Sequence, residues 1–186
     1  MLGMLLPLVA GAVESHPEQA RAGMLEAHNA VREQADPDLP ALSWSERAAE
    51  QAQEWADMLA RNGCRMRHNP ALRDHGQNLL WAGPRRVVET IRSGETGEIL
   101  DRTVRTAVQQ ITADNVVASW ASERQWYDHE VGACHAPEGK SCGHYTQLVW
   151  ADTSEVGCGM SICEDKSQVW VCDYHPAGNV AGQPPY

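Results

Sequence analysis

The residues best suited to chemistry in this chain are its six cysteines and eight histidines. The cysteines are Cys64, Cys134, Cys142, Cys158, Cys163 and Cys172, five of them beyond residue 133. No C-x-x-C pair occurs, so a zinc ribbon and a thioredoxin-type redox site both lack their signature. An even set suits a disulfide framework made in an oxidising compartment, with six reduced and buried thiols as the alternative. Two pairs have local support. Val156–Cys163 and Gln168–Tyr174 read as strands around the turn Glu164-Asp165-Lys166-Ser167, and a hairpin centred on Asp165 sets Cys158 opposite Cys172. Cys134 and Cys142 flank a loop containing Pro137 and Gly139 that a bridge would close. Cys64 and Cys163 are then left. Neither a Gly-x-Ser-x-Gly elbow nor a His-Glu-x-x-His helix is present, which removes two common hydrolase signatures.

These groups sit in a chain of 186 residues, enough for one filled core. The formal net charge of -10 disfavours nucleic acid as a partner, since phosphate binding relies on cationic side chains. Seven Trp and four Tyr stand against no Phe, so an aromatic core must find partners for N–H and O–H groups. The first 16 residues are treated as an apolar N-terminal segment. Leu2 to Val13 is too short to cross a bilayer, and Ala10-Gly11-Ala12 gives the small-x-small pattern of a signal-peptide cleavage site. The segment therefore reads as a signal-peptide remnant, without the positive residues that usually precede one.

The positioning elements follow from pattern. A helix is expected over Pro17–Gln34, ending before Pro37. A second is expected from Ser43, where Ser43 and Glu46 form a capping box, with Ala48, Ala52, Trp55 and Leu59 on one face and Gly63 as its stop. Residues 82–113 read as a surface insertion with helical fragments at Arg85–Arg92 and Glu98–Gln110. A third helix is expected over Asn115–His129, and His144–Trp150 alternates as a strand. Trp44, Trp55, Trp120 and Trp150 are assigned to the core, and His16, His75, His129, His135 and His175 to the surface. Helices around three strands predict an α+β domain with a small antiparallel sheet over residues 17–186.

Gly143-His144-Tyr145-Thr146-Gln147-Leu148-Val149-Trp150-Ala151-Asp152-Thr153-Ser154 resembles the first signature of the CAP superfamily. This superfamily unites cysteine-rich secretory proteins, antigen 5 and pathogenesis-related class 1 proteins. Val169-Trp170-Val171-Cys172-Asp173-Tyr174-His175-Pro176-Ala177-Gly178-Asn179-Val180 resembles the second. His28-Asn29-Ala30-Val31-Arg32, Cys64 followed by His68, and Trp120-Ala121-Ser122-Glu123 with Tyr127 add to the likeness. The closing Gly182-Gln183-Pro184-Pro185-Tyr186 is similar to the tail of plant pathogenesis-related class 1 proteins.

The resemblance implies a three-layer α-β-α sandwich, secretion, and the bridges Cys64–Cys163, Cys134–Cys142 and Cys158–Cys172. It also implies a cleft of two His and two Glu, carried onto His68, Gln77, Glu123 and His144. Two imidazoles and a carboxylate form a sensible first shell for zinc. Gln77 stands where the family usually has Glu, within Gly76-Gln77-Asn78-Leu79. An amide is a poorer ligand and no base, so metal binding should be weak, a two-carboxylate mechanism is disfavoured, and Gln77 is left to hold an imidazole by hydrogen bond. The leading reading is a secreted, non-enzymatic protein that binds sterol or another lipid in a defence- or toxin-like role. A metal-dependent hydrolase or peptidase, with zinc on His68 and His144 and Glu123 handling the proton, is the second. A structural or partner-binding extracellular protein that recognises its partner through residues 82–113 is the third.

Overall fold

The computed structural model describes residues 16–72 and 74–186, with side chains from residue 22 onward. The apolar segment Leu2–Val13 and its cleavage pattern lie outside the described residues, as does the side chain of His16. In chain order the elements are α1 (His16–Ala35), β1 (Ser43–Trp44), α2 (Glu46–Arg61), β2 (Gly76–Ala82), β3 (Arg85–Arg92) and β4 (Ile99–Ala107). They continue with α3 (Ala113–Ala121), a 3₁₀ turn over Ser122–Trp126, β5 (Tyr127–Asp128), β6 (Ala133–Cys134), α4 (Gly143–Leu148), β7 (Glu155–Ile162) and β8 (Gln168–His175). No helix among the described residues is long and apolar enough to cross a membrane.

Four strands form the central sheet in the order β1-β7-β8-β2, with β1 parallel to β7 and the other pairs antiparallel. Strand alternation divides β8 between two cores. Trp170, Cys172 and Tyr174 face a cluster with Met24 and Ala27 of α1, Val116, Val117 and Trp120 of α3, and Tyr145 and Leu148 of α4. Val169 and Val171 face Ala52, Ala56 and Leu59 of α2. The result is an α-β-α sandwich. On the α2 side the layers approach closely because both surfaces are small. A Cβ at Gly157 or Gly159 of β7 would run into the α2 backbone at Ala49 or Gln53.

Disulfides join Cys64 to Cys163, Cys134 to Cys142, and Cys158 to Cys172, the last pair lying directly opposite in the β7–β8 ladder. Arg32 is 1% exposed and has no carboxylate partner among the described residues; its guanidinium donates instead to the carbonyls of Pro40, Leu148 and Trp150. It thereby ties α1 to the chain leaving α4, and burial pulls its pKa down to about 10.

Several local expectations are corrected. Ser43 does not cap a helix. It pairs with Glu155 in β1, its N–H donates to the Ser154 carbonyl, and α2 starts at Glu46 behind Ser45. Residues 85–92 and 99–107 form an antiparallel hairpin rather than helices, as β-branched Val87, Val88, Thr90, Ile91, Thr103 and Val104 favour. Residues 143–148 form helix α4, not a strand; Tyr145 to Trp150 are all buried, so their alternation marks no single face. α3 ends at Ala121 and gives way to the 3₁₀ turn, well short of His129. The reciprocal capping box that does form is Thr112 with Asn115, at the start of α3. The central sheet has four strands, one of them parallel, not three antiparallel ones. Trp120 and Trp150 are buried, while Trp44 and Trp55 are half-buried against the two cores. His75 and His175 are half-buried against each other, their ring centroids 4.9 Å apart, and so leave the surface group.

Candidate functional site

Strand β2 lies at one edge of the sheet, and its consecutive residues Gln77 and Asn78 serve opposite faces. On the α2 side, the Gln77 amide oxygen accepts from the backbone N–H of Asn69 at 3.0 Å and from Nδ1 of His68 at 3.2 Å. Its amide nitrogen donates to Oδ1 of Asp173 at 2.7 Å. The backbone donor settles which end of the amide is oxygen. His68 therefore carries its proton on Nδ1 and keeps a lone pair on Nε2. Asp173 is fully buried, its second oxygen has no partner among the described residues, and the loss of water pushes its pKa up to about 7 against the pull of the Gln77 bond.

On the opposite side, Glu123 of the 3₁₀ turn meets the start of α4. Its Oε1 accepts from Nδ1 of His144 at 2.7 Å, and its Oε2 accepts from the backbone N–H groups of His144 at 2.8 Å and Tyr145 at 3.3 Å. A carboxylate fits there because the first N–H groups of a helix have no internal acceptor. His144 is thus also protonated on Nδ1, with Nε2 free, and its ring stacks on Trp120 at 6.3 Å between centroids. Asn78 fixes the same segment, donating to the His144 carbonyl at 3.1 Å and to the Tyr174 hydroxyl at 3.2 Å. Tyr174 in turn donates to Nε2 of buried His28 at 2.8 Å, while Nδ1 of His28 donates to the Met24 carbonyl at 2.6 Å. Burial holds His28 neutral, its pKa pulled down to about 4.

The four sequence-derived positions thus form two hydrogen-bonded pairs, His68 with Gln77 and Glu123 with His144. The ligand atoms of His68, Glu123 and His144 do not gather within 4.8 Å of one another. Among the described residues the one such gathering is His28 with Cys158 and Cys172. Its two sulfurs are joined in a disulfide and supply no thiolate, so that cluster is no metal centre. Sequence reasoning missed Asp173 and Asn78. An acid following Val169 and Val171 on the inward register of β8 was the available signal for Asp173. A cavity of about 610 Å³ lies along α2, lined by Glu54, Asp57 and Arg61 with apolar Trp55 and Leu72, and by Asn69 next to His68.

The sequence profile of the Cysteine-rich secretory protein family, CAP, matches residues 25–174. The chain belongs to the CAP family. Pathogenesis-related protein 1C of Nicotiana tabacum is 32% identical over 171 residues, covering 92% of this CAP chain and 83% of the relative. Pathogenesis-related protein 1B of the same plant is 33% identical over 172 residues, covering 92% and 84%. Among solved structures, the Schistosoma mansoni venom allergen-like protein 4 is similar in fold, with a TM-score of 0.61 and 22% identity over 90% of this chain and 94% of that one. NaASP2 with Zn2+ is similar too, with a TM-score of 0.62 and 20% identity over 91% and 85%. At these identities the structures speak for the fold of the CAP chain alone.

Proposed function

We propose that this CAP protein is a secreted, non-enzymatic binding protein with a weak divalent-metal site on the Nε2 atoms of His68 and His144. One observation carries the reading: both imidazoles are held by their Nδ1 protons, which leaves the ligating nitrogen of each bare. Two imidazole nitrogens without a coordinated carboxylate suit zinc, and favour weak rather than structural binding. In this reading Gln77 and Glu123 orient the imidazoles instead of ligating. The Zn2+ named with the similar NaASP2 structure supports the choice of ion. Zinc, when bound, supplies a Lewis-acid charge at the cleft.

The disulfides support an extracellular location. The names of the relatives, pathogenesis-related and venom allergen-like, support a defence- or toxin-like role. A sterol or fatty acid as ligand rests on the family resemblance; the cavity along α2 mixes apolar Trp55 and Leu72 with the charged Glu54, Asp57 and Arg61. The hydrolase reading loses ground because Glu123, its proton carrier, already accepts three hydrogen bonds. Calorimetric zinc titration should show weak binding that disappears in His68→Ala and in His144→Ala and tightens in Gln77→Glu. Zinc binding that persists in both alanine variants would defeat the metal reading. Titration with labelled sterol and fatty acid tests the lipid part, and absence of saturable binding to either removes it.

A further inference from the structure

The β3–β4 hairpin stands outside the four-stranded sheet as a ribbon of its own. Two strands alone are marginal in water, and an uncovered edge with unpaired N–H and C=O groups is a template for another strand. This ribbon is exposed, and the protection its edges carry is charge. Val88, Val104 and Leu100 are 42%, 47% and 63% exposed, and neither strand contains Pro or Lys. One register shift between Ile91 and Arg92 disturbs the distal end, which leaves Asp101 to Ala107 regularly paired.

The outer edge of β4 reads Asp101-Arg102-Thr103-Val104-Arg105. We propose that this edge pairs antiparallel with the same edge of a second copy of the chain, about a two-fold axis through Thr103. That register sets Asp101 against the partner's Arg105, and by symmetry Arg105 against the partner's Asp101. Arg102 then lies against the partner's Val104, so no like charges oppose. Neighbouring registers are worse: an axis through Arg102 sets two guanidinium groups face to face, and one through Val104 leaves Asp101 opposite an alanine. Both charges are present on exposed residues. Among the described residues Asp101 accepts only from its own strand, from the Arg102 N–H and the Thr103 hydroxyl. Arg105 is already extended by its ion pair with Glu89 at 2.8 Å, and its side chain remains 56% exposed. The β3 edge has a similar pattern about Val87, with Arg85 against Glu89. There Arg85 is the first residue of its strand, so the charge pair would sit at the strand end. Pairing through β4 builds a four-stranded sheet, β3-β4-β4-β3, closed by its two-fold axis.

This surface is independent of the imidazole cleft, and its test is the oligomeric state of the full chain with disulfides intact. Sedimentation velocity over a dilution series should show a monomer–dimer equilibrium that weakens with salt. Asp101→Arg and Arg105→Asp, each alone, place like charges in both cross-strand pairs and should raise the dissociation constant by roughly tenfold or more. An equimolar mixture of the two variants restores opposite charges at both pairs and should recover dimer. Far-ultraviolet and tryptophan near-ultraviolet dichroism matching the wild type confirms that the variants are folded. A wild type that is monomeric at every concentration, single variants that dimerise unchanged, or a mixture of folded variants that fails to associate would each overturn the proposal.

Discussion

On one side of strand β2 an imidazole leans on an amide, and on the other side an imidazole leans on a carboxylate. His68 sits on an exposed loop, and its support, Gln77, passes the contact inward to an acid with one unpartnered oxygen. His144 belongs to a helix whose first N–H groups share the same carboxylate that holds its ring. Bonds to a charged acceptor are about twice as strong as neutral ones. The Glu123 side is therefore built into the fold, whereas the Gln77 side is attached to it. In the first case one carboxylate both starts a helix and orients a ring, so structure and site stand or fall together. In the second the site residue can change with little effect on the core.

The largest effect should come from Glu123→Ala. Three donors lose their acceptor, and urea unfolding should report a loss of about 2–4 kcal/mol. A loss near zero would mean that α4 does not depend on this carboxylate, and the contrast between the two sides would collapse.

The next effect is pH dependence, where two buried groups on opposite faces act in opposite directions. Asp173 has its pKa raised from 3.8 to about 7, so its contribution is full below pH 4 and is lost as pH rises to 7. His28 has its pKa lowered from 6.5 to about 4, so its contribution is full above pH 6.5 and is lost as pH falls to 4. The two slopes oppose each other between pH 4 and 6.5, and the wild-type stability should be nearly flat there. Asp173→Asn keeps the acceptor for Gln77 and removes the acid. Its stability should climb from pH 4 to 6.5 by roughly 2–3 kcal/mol, measured by denaturant midpoints at fixed pH. A flat profile in that variant would show that the imidazole of His28 is not held neutral.

The smallest effect should be that of His68→Ala, within about 0.5 kcal/mol, because the ring is exposed and its partner keeps the Asn69 bond. Thermal melting checks it, and a drop comparable with that of Glu123→Ala would make the two sides equivalent.

The legibility of the fold followed the same division between local and distant causes. The β7–β8 hairpin was readable because its turn residues lie between two apolar runs whose period matches a strand. α1 was readable from its helical spacing and the proline beyond it. Ser43-Trp44-Ser45-Glu46 carries every local feature of a helix start, yet Ser43 and Trp44 join β7, more than 100 residues away. Residues 143–148 alternate as a strand does, yet become helical where Glu123 meets their N–H groups. At the site, His68, Gln77, Glu123 and His144 were reached through motif likeness. Asp173 and Asn78 were not, since their importance lies in what they touch across the sheet.

Composition and local pattern by themselves determined an acidic chain, an even set of cysteines, the long helices and the last hairpin. Each of these depends on residues close in the chain, where capping, turn and periodicity energies act. Tertiary structure alone decided that Ser43 is a strand residue, that 143–148 is a helix, and that His68 leans on Gln77 while His144 leans on Glu123. Those outcomes are set by burial and by donors seeking acceptors, and the acceptors come from parts of the chain that only folding brings near.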